Sequence, residues 1–254
     1  MKLRILGCGT SSGVPRIGGD WGDCDPADPR NRRLRTSALV ETATTRILID
    51  TGPDLREQLL AAEIDRVDAI LWTHDHADHI NGIDDVRQLA QAAGGPVRAF
   101  ARPPVLSVVT SRFGYVFEGT KFYPPTIRAE PLPDRLAVGD LTIEVVDQPH
   151  GAIQSAGLVF SDGTHRFGYA TDFSDLTPAM AAAYRACDLW VADALRRYPH
   201  PTHPTLDQVL GWHRMLETRR TLLIHMDNSM DYTALLAELP DGVEPAYDGM
   251  EVTA

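Results

Sequence analysis

The chain has 254 residues, of which 43% are hydrophobic and 23% charged, and this is the composition of an ordinary globular protein. Its formal charge of −11 argues against a protein that wraps long nucleic acid, although it leaves a small anionic substrate open. There is no apolar run of the roughly 20 residues that a membrane span needs, and three widely spaced cysteines favour a reducing cytoplasm without disulfides.

Hydrophobic periodicity predicts a chain in which strands and helices alternate, with hairpins in each half. Strands are predicted over residues 2–6, 37–42, 46–50, 69–72 and 97–101, then over 141–146, 155–160, 165–170, 189–192 and 221–224. Helices are predicted over residues 54–62, 80–93 and 206–215, and a Pro/aromatic stretch at 112–125 interrupts the order. No repeat or convincing linker divides the sequence, so we expect one domain over residues 1–254.

The most informative segment is His74-Asp75-His76-Ala77-Asp78-His79, which lies between a predicted strand and a predicted helix. Imidazole nitrogens and carboxylate oxygens are the usual protein ligands of zinc, manganese and iron. A solvated polar loop is the ordinary alternative for any single histidine, but three histidines and two aspartates within six residues favour a metal site.

Other polar residues stand at or just beyond the ends of apolar strand-like runs: Asp50, His150, Asp172 and His225. Side chains that leave the same edge of packed sheets converge on one cleft, so this placement predicts a shared site with the cluster. Each residue also has an ordinary explanation. His150 suits a loop histidine, Asp172 a helix cap, and His225 a buried core histidine.

This constellation resembles the metallo-β-lactamase superfamily. The motifs Gly7-Cys8-Gly9-Thr10-Ser11, Gly13-Val14-Pro15, Trp21-Gly22 and Tyr247-Asp248-Gly249-Met250-Glu251 are similar to its phosphodiesterase branch, which includes the phosphoribosyl 1,2-cyclic phosphate phosphodiesterases of phosphonate breakdown. The resemblance implies an α/β fold, an αββα sandwich of two mixed sheets flanked by helices. It also implies hydrolysis of a small cyclic phosphate or nucleotide phosphodiester by a hydroxide that bridges two metal ions.

The resemblance further implies a ligand set for two Zn²⁺ or Mn²⁺ ions. The first ion takes His74, His76 and His150, the second takes Asp78, His79 and His225, and Asp172 bridges them. Asp78 and His203 are expected to take part in catalysis, with His203 as proton donor and His200 as its rival. Asp50 is expected to orient a ligand histidine, and Asp75 to orient a ligand or fix the turn.

Some segments depart from that family or stay open. The family's closed structural zinc site is expected to be absent, because Cys24 stands alone and Asn228 replaces a histidine. The arginines at 30, 32, 33 and 35 are compatible with a solvated turn or with a site that binds a terminal phosphate. The aromatic stretch at 113–123 is compatible with a lid, with core packing or with a dimer contact. We expect a small phosphodiester substrate, with no membrane and no long nucleic acid as partner, and we leave a homodimer open.

Two other functions compete with hydrolysis of a small phosphodiester. A tRNA 3′-processing endonuclease is one, but the sequence lacks the long basic arm with which such enzymes grip tRNA. A non-hydrolytic metal protein of the kind found in quinone-cofactor biosynthesis is the other. The Asp78-His79 pair and His203 favour hydrolysis over it.

Overall fold

The structure, a computed structural model, describes residues 1–253. The strands of the first half are β1 (Lys2–Gly7), β2 (Ser37–Glu41), β3 (Arg46–Ile49), β4 (Ala69–Leu71), β5 (Val97–Ala101) and β6 (Ile127–Pro131). Those of the second half are β7 (Arg135–Val138), β8 (Leu141–His150), β9 (Ile153–Ser161), β10 (Arg166–Ala170), β11 (Leu189–Asp193), β12 (Arg220–Ile224), β13 (Val243–Pro245) and β14 (Glu251–Thr253).

The α-helices are α1 (Leu55–Ala61), α2 (Ala77–Ile80), α3 (Val86–Ala93), α4 (Pro103–Arg112), α5 (Gly114–Glu118), α6 (Pro178–Tyr184), α7 (Leu206–Leu216) and α8 (Tyr232–Glu238). None of the helices in residues 1–253 combines the length and the apolar character that crossing a membrane requires.

The strands form two mixed seven-stranded sheets, one for each half of the chain except that the C-terminal β14 joins the first sheet. The first has the order β14-β1-β2-β3-β4-β5-β6, and the second has the order β13-β12-β11-β10-β9-β8-β7. In each sheet three successive strand pairs are parallel, β3 to β6 in the first and β10 to β13 in the second. The carboxyl ends of parallel strands meet at one edge, and the polar residues predicted to converge lie there.

The alternation of side chains along β3 shows how the layers are held together. Ile47 and Ile49 are fully buried in the core between the two sheets, whereas Leu48 points to the opposite face and packs among residues of α1, α3, α4 and α5. Side chains of α6, α7 and α8 join the core from the outer face of the second sheet. The result is a four-layer αββα sandwich, which confirms the predicted fold class.

The predicted helix over residues 80–93 is wrong at its start. The chain forms the short α2 across the cluster itself, turns, and begins α3 only at Val86. The turn is needed because Gly82 docks against the end of β3, where its amide donates to the carbonyl of Thr51 at 2.8 Å. A Cβ at Gly82 would lie 1.9 Å from the carbonyl oxygen of Gly52, so only glycine permits this approach.

Candidate metal centre

The polar residues at the strand ends share a backbone feature that directs them into one cleft. Asp50, Asp172 and His225 follow β3, β10 and β12, and each has a positive φ, of 62°, 52° and 56° respectively. A left-handed residue turns the chain sharply at the strand end, although this conformation costs a non-glycine residue roughly 1–2 kcal/mol. Strained backbone of this kind clusters at functional sites. Its repetition at three strand ends therefore indicates that the functional site lies at this edge of the sheets.

The predicted ligands form two adjacent groups, in which every side chain is buried or half-buried except the exposed His76. Within each group one potential ligand atom from every residue lies within 4.8 Å of the others. The first group is His74, His76, His150 and Asp172, and the second is Asp78, His79 and His225. The structure therefore brings together all seven residues that the resemblance implies as ligands.

The carboxylate of Asp172 lies between the two groups. Its Oδ1 is 3.7 Å from Nε2 of His74 and 3.6 Å from Nε2 of His150. Its Oδ2 is 3.2 Å from Nε2 of His79 and 3.5 Å from Nε2 of His225. Because each oxygen faces a different group, this side chain has the arrangement of a bridging ligand. The helix-cap alternative is wrong, since α6 begins at Pro178 and is capped by Thr177.

The donor atoms fit divalent cations. Nε2 of His74, His79 and His225 is buried and has no hydrogen-bond partner within residues 1–253. Such orphaned polar atoms are rare in native interiors unless an ion or water satisfies them. Ligand atoms about 2.1 Å from a tetrahedral zinc ion would stand roughly 3.4 Å apart, which agrees with the separations around Asp172.

The charges at the site also suit cations. Burial favours neutral carboxyls, but the neighbouring histidines outweigh it and hold the pKa values of Asp78 and Asp172 well below the usual range. Burial likewise opposes protonation of His225, yet the carboxylates of Asp172, Asp193 and Asp78 raise its pKa to about 9. The two acidic ligands thus stay ionised and attract positive charge.

Hydrogen bonds behind the ligands fix the orientation of the imidazole rings. Nδ1 of His79 donates to Oδ2 of Asp50 at 2.7 Å, and Thr73 donates to the same carboxylate through its amide and its hydroxyl. Nδ1 of His150 donates to the carbonyl of Thr202 at 3.0 Å. Each bond engages Nδ1 and so directs Nε2 of the ring towards the other predicted ligands, and Asp50 has the orienting position predicted for it.

His203 stands beside the centre with a partner that the sequence analysis missed. Its Nδ1 is 2.6 Å from Oδ2 of the fully buried Asp193, and its Nε2 is 3.9 Å from Oδ1 of Asp172. Asp193 ends β11, so the strand-end placement that pointed to Asp50 could also have pointed to it. The rival His200 is in ring contact with His203, at a centroid distance of 5.0 Å, and belongs to neither ligand group.

Asp75 belongs to neither ligand group. Its backbone carbonyl accepts a hydrogen bond of 2.8 Å from Arg112, and its carboxylate lies 3.8 Å from the same guanidinium. Neither contact is a backbone amide that donates to the carboxylate or a bond to a ligand histidine, so both roles expected for Asp75 stay predictions. Asp75 also borders a separate cavity of about 820 Å³.

The four arginines at 30–35 do not form one patch. Arg30 pairs with Asp28, Arg32 is exposed, and Arg35 lines a cavity beside Asp78. Arg33 is buried, and its guanidinium donates to the carbonyls of Asp227 and Met230, to Oδ1 of Asn31 and to Sγ of Cys24. We call Arg33 and these four acceptors the Arg33 hub.

The aromatic stretch divides between core and surface. Phe113 and Phe117 pack against the helix-side core, where the ring of Phe117 meets Trp72 edge-on. Phe122 and Tyr123 are exposed. Core packing therefore accounts for the first part of the stretch.

Comparison with known proteins identifies a family model and several relatives that match most of this chain. The family model described as Beta-lactamase superfamily domain matches residues 45–226. An octanoyltransferase of Porphyromonas gingivalis is 34% identical over 99% of this chain, but the chain spans only 51% of that protein. The exodeoxyribonuclease WalJ of Streptococcus pneumoniae is 25% identical, over 84% of this chain and 76% of that protein.

Solved structures extend the likeness to the whole fold. A diphosphatase of the PhnP family is 35% identical, with a TM-score of 0.91, and the match covers 100% of this chain and 97% of that one. Zn²⁺-bound PqqB from Methylobacterium extorquens is 17% identical, with a TM-score of 0.81 over the full length of both chains, and shows a shared fold alone.

Proposed function

The chain belongs to the metallo-β-lactamase superfamily, and from this premise we propose that it hydrolyses small cyclic phosphates or nucleotide phosphodiesters at a two-metal centre. The observation that carries the proposal is Asp172, whose two oxygens face separate groups of ligands. Relatives named as a diphosphatase and an exodeoxyribonuclease act on phosphate compounds, which supports this reaction class. Phosphoribosyl 1,2-cyclic phosphate is one substrate to test.

The residues of the proposed site have two roles: some bind cations, and one donates a proton. We assign His74, His76 and His150 to one ion, Asp78, His79 and His225 to the other, and Asp172 to both. When bound, Zn²⁺ or Mn²⁺ ions supply positive charge that acidifies a water molecule and neutralises phosphoryl oxygens. The ionised carboxylates of Asp78 and Asp172 would balance that charge.

His203 is the proton donor in this proposal. The bond from its Nδ1 to Asp193 fixes the tautomer and turns Nε2 towards Asp172. A protonated Nε2 at the edge of the centre can then donate to the oxygen that leaves phosphorus.

The test begins with bis-p-nitrophenyl phosphate and protein loaded with zinc or manganese. We expect turnover by the wild type and a loss of about 10²–10⁴-fold in His203→Ala, the usual effect of removing a general acid. His200→Ala is the matched control, because His200 neighbours His203 but lies outside both ligand groups.

Metal analysis by mass spectrometry accompanies every variant. An ion lost from His203→Ala would make His203 a ligand instead of a proton donor. Full metal occupancy without turnover would contradict the proposal and favour a non-hydrolytic metal protein. Cleavage of precursor tRNA in preference to small phosphodiesters would favour the endonuclease alternative.

A further inference from the structure

The strained backbone of Asp172 is held by side chains that belong to neither ligand group. The hydroxyl of Ser155 donates to the carbonyl of Asp172 at 2.7 Å, and the amide of Gln148 donates to the carbonyl of Thr171 at 3.0 Å. Left-handed backbone at a residue other than glycine persists only where the surrounding structure fixes it. These two bonds fix the peptide units on either side of Asp172, whose φ is 52°.

Gln148 connects Ser155 to the helix layer. The two residues are direct partners across β8 and β9, and Nε2 of Gln148 donates to Oγ of Ser155 at 3.0 Å. Oε1 of Gln148 accepts a hydrogen bond of 2.8 Å from the hydroxyl of Tyr184, the last residue of α6. Burial raises the pKa of Tyr184 well above its ordinary value, so the hydroxyl keeps the proton that it donates. We call Tyr184, Gln148 and Ser155 the Tyr184 chain.

Two glycines leave room for the Tyr184 chain, all of whose side chains are buried. A Cβ at Gly157 would lie 1.9 Å from the hydroxyl oxygen of Tyr184 and 2.7 Å from Oε1 of Gln148. A Cβ at Gly168 would lie 2.8 Å from Cδ1 of Tyr184. Since no larger residue fits at 157 while the donor stays beside its acceptor, two neighbouring strands accommodate the bond between α6 and β8.

The carboxylate of Asp172 is held separately from its backbone. The hydroxyl of Thr171 donates to Oδ2 of Asp172 at 2.6 Å, whereas the Tyr184 chain reaches only the backbone carbonyls. A change in the backbone at Asp172 would therefore move both carboxylate oxygens together. Because one oxygen faces His74 and the other faces His79, such a movement would affect both predicted ion sites.

We propose that Tyr184, Gln148 and Ser155 are positioning residues, which hold the backbone of Asp172 so that its carboxylate lies between the two predicted ions. The inference rests on the two-metal centre of the proposed function. It extends that centre through the second sheet to α6, a helix that contributes no residue to either ligand group. The chain acts on the ions through Asp172, so its loss should weaken both ion sites.

Zinc affinity at both sites tests the inference, by competition with a chromophoric chelator. Ser155→Ala should weaken the binding of both ions about tenfold, the lower end of the usual effect of removing a partner of a metal ligand. Tyr184→Phe should weaken both by a smaller factor, because phenylalanine fills the same space but lacks the donor. The double variant should lose less affinity than the product of the two single losses, since both residues act through Gln148.

Thr221→Val is the matched control for the loss of a buried hydroxyl. The hydroxyl of Thr221 bonds to Nδ1 of His213 and to the hydroxyl of Thr218, outside the Tyr184 chain. Urea unfolding should show a loss of stability in Thr221→Val and in Ser155→Ala, whereas zinc affinity should fall only in Ser155→Ala. An equal loss of zinc affinity in both variants would overturn the inference.

The affinity measurement needs no substrate, so it separates this inference from the proposed function. If the wild type binds two ions but hydrolyses no phosphodiester, the proposed function fails and the zinc affinities still decide the inference. If hydrolysis is found but Ser155→Ala and Tyr184→Phe bind zinc as tightly as the wild type, the proposed function stands and the inference is refuted. Tyr184→Phe decides alone if Ser155→Ala does not fold.

Discussion

The metal centre and the Arg33 hub are two buried polar clusters that differ in how their polar atoms obtain partners. In the hub, a protein cation donates to carbonyl, amide and thiol acceptors from distant parts of the chain. In the metal centre, three Nε2 atoms face one another and two ionised carboxylates without such partners within residues 1–253. The first cluster carries its cation in the sequence, whereas the second presents clustered His and Asp donor atoms that can hold cations from solution.

The hub stands where the resembled family implies a closed structural zinc site. Cys24 is present, but Asn228 occupies the place of a histidine, and the guanidinium of Arg33 joins the two segments. A guanidinium can connect loops as an ion does, because it donates to several acceptors at once. It cannot replace an ion that must also activate water, because a guanidinium stays protonated and has no open coordination position.

The largest expected effect comes from removing the bridging carboxylate. Asp172→Asn should lower turnover of bis-p-nitrophenyl phosphate by more than about 10³-fold, because it weakens both ion sites together. Metal content should fall in the same sample, as measured by mass spectrometry. Near-normal turnover with both ions retained would show that Asp172 does not bridge them.

The next effect concerns the hub. Arg33→Met should lower the free energy of unfolding by about 3 kcal/mol, since the carbonyls of Asp227 and Met230 lose their buried donor. Metal content and turnover per folded molecule should stay close to wild type. Urea unfolding measures the change, and Arg30→Met, on a half-exposed side chain, should leave the urea midpoint unchanged.

Metal removal should lower stability through the metal centre and leave the contribution of the hub unchanged. Chelation should lower the unfolding free energy by about 3 kcal/mol for each ion removed, relative to protein with free ion at roughly 100 times its dissociation constant. The same decrement should appear in Arg33→Met, because separate sites contribute additively. It should disappear in Asp172→Asn. A decrement that differs between wild type and Arg33→Met would show that the two clusters are coupled.

A smaller effect is expected from the residue that orients His79. Asp50→Asn should weaken ion binding by about 10–100-fold, because the amide no longer holds the imidazole as a carboxylate does. Competition with a chromophoric chelator measures this affinity. At saturating metal most of the turnover should return, and a loss that saturation does not rescue would give Asp50 a further role.

Local spacing made much of the site predictable. Three histidines and two aspartates in six residues indicate metal binding without knowledge of the fold, and strand ends give the order of the distant ligands. Asp193 was missed because a single aspartate at the end of a buried strand has no local signature. Its role depends on His203, ten residues away, and only packing brings them together.

Other features depend on contacts that no local pattern records. The arginines at 30–35 look alike in sequence, yet Arg33 is buried while Arg35 borders a cleft. The break between α2 and α3 follows from the approach of Gly82 to Gly52, across thirty residues of chain. Helical periodicity continues through this break, so the sequence predicts one helix where packing requires two.

The left-handed backbone at Asp50, Asp172 and His225 has an evolutionary consequence. Glycine adopts this conformation without steric cost, so replacing Asp172 or His225 by glycine relieves backbone strain while it removes a proposed ligand. At Asp50 the hydrogen bonds lost from Thr73 and His79 outweigh that relief. A descendant released from selection for metal binding would therefore keep the aspartate at the end of β3 and acquire glycine at the ends of β10 and β12.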